Sequence, residues 1–128
     1  MCKDQKFYIC KKCGNLVGMI HDSGVPMVCC GENMTALTAN TSDGAKEKHV
    51  PVITVSGNTV TVKVGSVDHP MTPEHYIQWV YLETSKGAQR KCLSPNDAPV
   101  AVFTLTDDDK AIAAYEYCNL HGLWKASV

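Results

Sequence analysis

The chain has 128 residues, of which 45% are hydrophobic and 20% charged, and its formal net charge is -1. This is the composition of an ordinary folded protein, and its charge provides no general attraction to nucleic acid or to an anionic membrane. No stretch approaches the ~20 apolar residues that span a bilayer. The N-terminal sequence "MCKDQKFYICKKC" also lacks the apolar core of a signal peptide, so we expect a cytoplasmic protein. In that compartment, seven cysteines indicate thiols or metal ligands rather than disulfides.

Residues 1–37 predict a small module that depends on a metal for its stability. The apolar pieces "KFYI", "NLVGMI" and "VPMV" are short and are interrupted by cysteines and glycines. Such a segment buries too little apolar surface to fold on its core alone, so a bound metal has to contribute. The ligands are predicted in "CKKCG" at 10–14 and "CCG" at 29–31.

These two clusters contain four cysteines, and we call them the cysteine site: Cys10, Cys13, Cys29 and Cys30. Four thiolates favour tetrahedral coordination of zinc or iron. Because two of the cysteines are adjacent, we expect a distorted tetrahedron. A disulfide between neighbours is the alternative, but it would be strained. His21, which lies between the clusters beside Asp22, is interpreted as a solvated loop residue.

The polar segment "TANTSDGAKEK" at 38–48 is predicted to be a linker. After it, "VITVSGNTVTVKV" consists of two alternating runs around Gly57-Asn58, which is a hairpin signal. This turn pairs Val55 with Val60 and Ile53 with Val62, so that the apolar residues of both strands share one face.

Further strands are predicted at a spacing typical of a sandwich: "YIQWVYL" (76–82), "QRKCL" (89–93), "VAVFTL" (100–105) and "AIAAYEY" (111–117). The last run is also compatible with a helix because of its alanines, and we interpret it as a strand. The predicted fold class is therefore all-β, a small N-terminal metal module followed by a β-sandwich. Trp79 and Trp124 are expected to pack in the core or near the ends of a metal site, and the core is favoured. Cys92 is expected to be a buried thiol or a sheet residue. Cys2 is expected to be exposed and free.

Four histidines and one cysteine are predicted to converge at one end of this sandwich. Extending the hairpin pairing places His49 opposite Ser66, close to His69. His75 follows in "HPMTPEH", and Cys118 and His121 follow the last predicted strand. Spacing alone shows only H-x5-H and C-x2-H, and the convergence of all five depends on the predicted fold. We call this set the histidine site.

The size of the histidine site indicates its chemistry. Four imidazoles and a thiolate exceed the usual four ligands of structural zinc. Five ligands leave one open position on a six-coordinate metal, which suits redox-active iron. A thiolate opposite that position would push electron density toward whatever binds there.

Over essentially the whole chain, the sequence resembles superoxide reductases of the two-iron, desulfoferrodoxin type. The motifs that carry the resemblance are "CxxCG…CCG" at 10–31, "EKHVPVI" at 47–53, "GSVDHPMTPEHYIQW" at 65–79 and "YCNLHGLWK" at 117–125. The resemblance implies a desulforedoxin-like module at 1–37, a linker and active-site loop at 38–48, and an immunoglobulin-like domain at 49–128. It also implies one iron on the cysteine site and a catalytic iron with four equatorial histidines and axial Cys118. A homodimer is expected.

The activity implied is one-electron reduction of superoxide to hydrogen peroxide without release of dioxygen. An external donor such as rubredoxin would restore the reduced state. Lys48 would attract the anion and hydrogen-bond the product, while Glu47 would ligate the oxidised resting iron. In an ideal strand Lys48 would point away from His49, so residues 46–48 are predicted to form a mobile loop.

Two other functions are compatible with parts of the pattern. One is a rubredoxin-like electron carrier in which the second metal site is structural. The other is a zinc-stabilised binding module on a β-sandwich, and zinc is also possible in the cysteine site of the enzyme. Neither function needs an open coordination position beside a lysine, so the enzyme is favoured.

Overall fold

A computed structural model describes residues 5–128, so Cys2 lies outside the described residues. These residues form two compact units that divide between Thr38 and Ala39. We call them the N-terminal unit and the sandwich unit. Among the described residues, no helix is long and apolar enough to cross a membrane.

The N-terminal unit is built from five short strands: β1 (Lys6–Ile9), β2 (Leu16–Met19), β3 (Val28–Cys29), β4 (Glu32–Asn33) and β5 (Thr35–Ala36). Strands β2, β1 and β5 form one antiparallel sheet, and β3 pairs with β4. Its buried apolar residues are Phe7, Cys10 and Met34. Phe7 packs so closely on Gly18 that an added Cβ would lie 3.2 Å from its ring. This core is small, as expected for a module stabilised by a metal.

The sandwich unit begins with one helical turn, α1 (Lys46–His49), and continues in seven strands: β6 (Pro51–Ser56), β7 (Thr59–Val64), β8 (Ile77–Thr84), β9 (Gly87–Cys92), β10 (Val100–Thr104), β11 (Ala111–Cys118) and β12 (Gly122–Ser127). One sheet has the order β10-β7-β6 and the other β12-β11-β8-β9. The core between them contains side chains of both sheets, including Val62, Phe103, Val80, Leu82 and Ala114.

The predicted all-β class is confirmed, and so is the register of the first hairpin. Val55 pairs with Val60 and Ile53 with Val62 around the turn at Gly57, whose φ is +58°. The 111–117 run is a strand rather than a helix. It lies at the centre of its sheet, paired with both β8 and β12, and this pairing outweighs the helical preference of its alanines.

Several details differ from the sequence prediction. The last strand, β12, was not predicted, because Leu123 and Trp124 are both buried and break the expected alternation. Val55 is 51% exposed, and it lies next to the turn of the hairpin. Cys92 was expected to be a buried thiol or a sheet residue; it is a sheet residue, but it is exposed at the end of the edge strand β9.

The segment predicted as a linker is bound along β12 for part of its length. The Asn40 N–H donates to the Leu123 carbonyl, and the Asn40 side chain bonds the Lys125 backbone in both directions. The Ser42 hydroxyl donates to the His121 carbonyl. These bonds hold the chain that leads into α1 against the sandwich unit.

Candidate metal centres

The five side chains of the predicted histidine site converge at one end of the sandwich unit: His49, His69, His75, Cys118 and His121. Their candidate ligand atoms all lie within 4.8 Å of one another. The first comes from α1, two come from the connection between β7 and β8, and the last two flank the turn between β11 and β12. Residues from three separate parts of the chain thus bring their candidate donor atoms together at one place.

The nitrogen atoms that face one another are close. His49 Nε2 lies 3.1 Å from His69 Nε2 and 3.1 Å from His121 Nδ1, and Cys118 Sγ lies 3.8 Å from His121 Nδ1. His75 Nε2 is buried, and no described residue hydrogen-bonds it. A buried acceptor without a partner is costly, and a metal ion would satisfy it together with its four neighbours. The donor set therefore fits a metal ion.

Backbone carbonyls orient two of the imidazoles. His49 Nδ1 lies 2.7 Å from the Ala45 carbonyl oxygen, and His69 Nδ1 lies 2.6 Å from that of Pro70. A ring that donates from Nδ1 to a carbonyl presents the lone pair of Nε2 on its other side. Both lone pairs therefore face the site.

Trp124 supports the site from the side of the core. Its ring stacks on His49 with 4.9 Å between centroids, and its Nε1–H donates to the His121 carbonyl at 3.1 Å. Core packing was the favoured prediction for this tryptophan, with a place near the site as the alternative. Its spacing of three residues from His121 was the available signal for a role at the site.

Burial favours the neutral form of three of these histidines. Desolvation lowers the pKa of His49, of His75 and of His69, for which it falls to about 4. Burial also raises the pKa of the Cys118 thiol, against the opposing effect of the Leu120 and His121 N–H groups. Neutral imidazoles are ready to bind a metal, whereas the buried thiol loses its proton only when a cation compensates the charge.

Glu47 and Lys48 lie on the helical turn rather than on a mobile loop or an extended strand. The Lys48 N–H donates to the Ala45 carbonyl at 3.1 Å, and the Val50 N–H donates to the Lys46 carbonyl at 2.9 Å. Both side chains are exposed. Desolvation is the main cause that lowers the pKa of His75, the charge of His121 is the second, and the positive charge of Lys48 is the third. The charge of Lys48 therefore lies close enough to His75 to favour the neutral imidazole.

The prediction that His49 continues the first strand is also wrong, because His49 belongs to the same helical turn as Glu47 and Lys48. Strand pairing ends at Pro51 and Val64, and His49 reaches the site from the helical turn. It is nevertheless 2% exposed, in agreement with the predicted inward orientation.

The four side chains of the cysteine site also lie together, with their sulfur atoms within 4.8 Å of one another. Cys13 Sγ is 3.6 Å from Cys29 Sγ, and the adjacent Cys29 and Cys30 sulfurs are 3.9 Å apart. All four are free thiols, so the alternative of a disulfide between neighbours is wrong. Cys30 has a φ of +52°. This rare conformation for a non-glycine residue allows both neighbours to point into one site.

Amide groups surround the sulfur atoms. The Cys13 N–H donates to Cys10 Sγ at 3.5 Å, and the Asn15 N–H donates to Cys13 Sγ at 3.5 Å. The Asn15 side-chain amide donates to Cys29 Sγ at 3.8 Å. The N–H of Cys13 is the main cause that lowers the pKa of Cys10 to about 6. Hydrogen bonding, first with Cys13, raises the pKa of Cys30 to about 12. Four thiols with one readily ionised member fit a tetrahedral thiolate-binding cation.

Two other residues lie outside these sites. His21 is exposed in the bend after β2 and is not among the grouped candidate ligands, in agreement with its interpretation as a loop residue. Cys92 is likewise not part of either set.

Comparison with known proteins gives a consistent result. The family model described as Desulfoferrodoxin matches residues 41–127. A desulfoferrodoxin from Nitratidesulfovibrio vulgaris is 50% identical over 94% of this chain and 94% of its own. The crystal structure of the superoxide reductase from Treponema pallidum is 48% identical, covers 98% of this chain and 100% of its own, and superposes with a TM-score of 0.83. A one-iron superoxide reductase from Giardia intestinalis is 36% identical, covers 65% of this chain and 98% of its own, and has a TM-score of 0.55.

A β-sandwich with four imidazoles and a thiol at one end, in a chain that also has a four-cysteine module, defines the superoxide reductase class of oxidoreductases. Within that class, the chain belongs to the desulfoferrodoxin family.

Proposed function

We propose that this protein reduces superoxide by one electron to hydrogen peroxide, taking up two protons and releasing no dioxygen. The observation that carries the proposal is the histidine site, in which four imidazole nitrogens and one sulfur lie within 4.8 Å of one another. Five ligands are more than a structural zinc site uses, and they leave room for a small anion. The relatives named superoxide reductase support the same reaction.

The residues of the two sites would hold two iron ions in each chain. His49, His69, His75 and His121 would surround one iron, with Cys118 as the fifth ligand. Iron bound there supplies a one-electron redox couple and an open coordination position. Cys10, Cys13, Cys29 and Cys30 would hold the second iron, and zinc is the alternative metal for that site.

The protein itself would guide the anion and provide a proton donor. His75 and His121 are partly exposed, whereas His49 and His69 are buried. Because the charge of Lys48 acts on His75, we place the approach on the side of His75. The net charge of -1 offers no general attraction for an anion, and the ammonium group of Lys48 supplies it locally. Lys48 also has N–H groups that can donate to the reduced oxygen species. Glu47, its neighbour on the same turn, offers a carboxylate ligand to the oxidised resting site.

The reaction needs an electron from outside the protein. We propose a small one-electron carrier such as rubredoxin as the donor, a homodimer as the assembly, and the cytoplasm as the location. The alternative of an electron carrier with a structural second metal is not favoured, because a structural metal needs neither a fifth ligand nor a neighbouring lysine.

Substitution of Lys48 tests this proposal. We expect Lys48→Ala to slow the association with superoxide by about tenfold at low ionic strength, because local charge raises the rate of encounter with an anion. The dependence on salt should weaken, and both metals should be retained. The measurement is stopped-flow kinetics over a range of ionic strengths, with metal analysis of the same sample.

The matched control is Lys110→Ala, which removes the same charge near the turn between β8 and β9, away from the histidine site. It should change the rate little. Equal rates for Lys48→Ala and the unmodified protein at every ionic strength would contradict the proposed role of Lys48.

A further inference from the structure

The turn formed by residues 65–67 lies between β7 and the ligand His69. We call it the 65–67 turn. It packs directly against the backbone of α1, where the exposed side chains of Glu47 and Lys48 begin. This contact joins the two segments that contribute His49 and His69 to the histidine site.

Two hydrogen bonds from the 65–67 turn hold the carbonyl of Glu47. The Val67 N–H donates to this oxygen at 2.8 Å, and the Ser66 hydroxyl donates to it at 3.2 Å. The peptide that links Glu47 to Lys48 is therefore held from outside its own helical turn. A turn of four residues has little stability of its own, so these external bonds matter for its position.

Gly65 brings the two backbones into contact. A Cβ added at this position would lie 2.6 Å from the Glu47 carbonyl oxygen and 2.8 Å from the Lys48 carbonyl carbon. Both are backbone atoms, so no side-chain rotation could relieve the overlap. Any residue other than glycine at position 65 must force the 65–67 turn and α1 apart, and so change the position of Lys48 relative to the turn.

Hydrogen bonds connect the contact between Gly65 and α1 to a candidate metal ligand on each side, His69 and His49. The His69 N–H donates to the Val64 carbonyl at 3.1 Å. The Ala45 carbonyl accepts from the Lys48 N–H and lies 2.7 Å from the His49 ring nitrogen. The position of Lys48 relative to the histidines is thus set by a short, continuous chain of hydrogen bonds.

We propose that Gly65, Ser66 and Val67 are positioning residues that hold the Glu47 peptide and thereby direct the Lys48 ammonium group to the approach of the substrate. The inference rests on the proposed function of Lys48. Without the 65–67 turn, α1 would sample several positions and the charge would be spread over a larger volume. The ligands would remain, but the anion would be guided less effectively.

Two variants of the full-length, metal-loaded protein test the proposal. Ser66→Ala removes one hydrogen bond without steric change, and we expect its rate of association with superoxide to fall by about fivefold, the effect of one typical hydrogen bond. Gly65→Ala should lower the rate at least as much and weaken its salt dependence. Ser66→Ala should keep the visible spectrum of the bound metals. Ser56→Ala, an exposed serine at the far end of β6, is the control and should leave the rate unchanged.

A double-mutant cycle distinguishes positioning from a general structural effect. If the 65–67 turn acts through Lys48, Ser66→Ala and Gly65→Ala should slow the reaction no further in a Lys48→Ala background. Additive losses would overturn the proposal. If Lys48→Ala slows the reaction but Ser66→Ala and Gly65→Ala do not, the proposed function stands and this inference fails. If Lys48→Ala itself has no effect, the role of Lys48 fails first.

A measurement independent of activity completes the test. In the zinc-loaded protein, the amide of Val67 should exchange slowly with solvent because it is bonded to Glu47. The exchange should accelerate in Gly65→Ala, where the two backbones are forced apart, and stay slow in Ser56→Ala. Unchanged exchange of Val67 in Gly65→Ala would contradict the proposed contact.

Discussion

Glu116 is a buried carboxyl group beside the histidine site. It is fully buried on β11, paired with Val80 on one side and Trp124 on the other. Neither of its carboxyl oxygens has a hydrogen-bond partner among the described residues. Desolvation raises its pKa from 4.5 to about 9, so the group is protonated and neutral at pH 7.

This pKa predicts how stability depends on pH. The unfolded chain ionises Glu116 above pH 4.5, whereas the folded chain keeps it neutral until about pH 9. The folded state therefore binds one proton more over this range, and stability falls as pH rises, by about 1.4 kcal/mol per pH unit. We expect Glu116→Gln to remove this loss between pH 7 and 8, a range chosen because burial lowers the pKa of His49 and His69.

Urea denaturation followed by tryptophan fluorescence measures this effect, since both tryptophans lie in the sandwich unit. Glu32→Gln, at an exposed position in the N-terminal unit, is the control and should keep the pH dependence of the unmodified protein. Parallel pH profiles for Glu116→Gln and the unmodified protein would show that Glu116 is already ionised when folded.

Asn15 is a residue whose role was not predicted from the sequence. Its side-chain amide donates to Cys29 Sγ, and hydrogen bonds to sulfur raise the reduction potential of iron–thiolate sites by stabilising the more negative reduced form. In the iron-loaded protein, Asn15→Leu should therefore lower the potential of the cysteine site. Asn33→Ala, an exposed asparagine on β4, should not. Spectroelectrochemical titration measures both, and an unchanged potential in Asn15→Leu would contradict the role of the amide.

At the scale of secondary structure, alternation predicted the strands that have one buried face. It located the β6–β7 hairpin and its register, because Gly57 permits the tight turn and the apolar residues are spaced by two. It missed α1 and β12. The helical turn accepts hydrogen bonds from the 65–67 turn, which lies about 20 residues further along the chain. The last strand buries two successive residues, Leu123 and Trp124, so its sequence lacks the alternation of apolar and polar residues that predicts a strand.

The strand β10 packs onto the opposite sheet through Phe103, which is 1% exposed and belongs to the core. We expect Phe103→Ala to lower the free energy of unfolding by about 3–5 kcal/mol, because it removes buried apolar surface and leaves a cavity. The neighbouring Val102 points to solvent and is 44% exposed, so Val102→Ala should cost less than about 1 kcal/mol. Similar losses for the two variants in urea denaturation would contradict the assigned faces of β10.

At the scale of the whole molecule, the sequence predicted both sets of candidate ligands and the all-β class. Cysteine and histidine have few other roles in such spacing, and the motifs of the family are distinctive. The positions of Glu47 and Lys48 could not be predicted, since they depend on backbone contacts with the 65–67 turn. The electron donor and the second subunit also stay predictions, because a protein contact surface has no sequence motif as distinctive as the spacing of metal ligands.

Mixing the reduced, iron-loaded protein with superoxide in a stopped-flow instrument tests the proposed reaction most directly, with hydrogen peroxide and dioxygen quantified in the same sample. We predict rapid oxidation of the histidine site, one hydrogen peroxide formed for each superoxide consumed, and no dioxygen. Formation of dioxygen with half that yield of peroxide would show dismutation instead, and a histidine site that superoxide leaves reduced would contradict the proposed function.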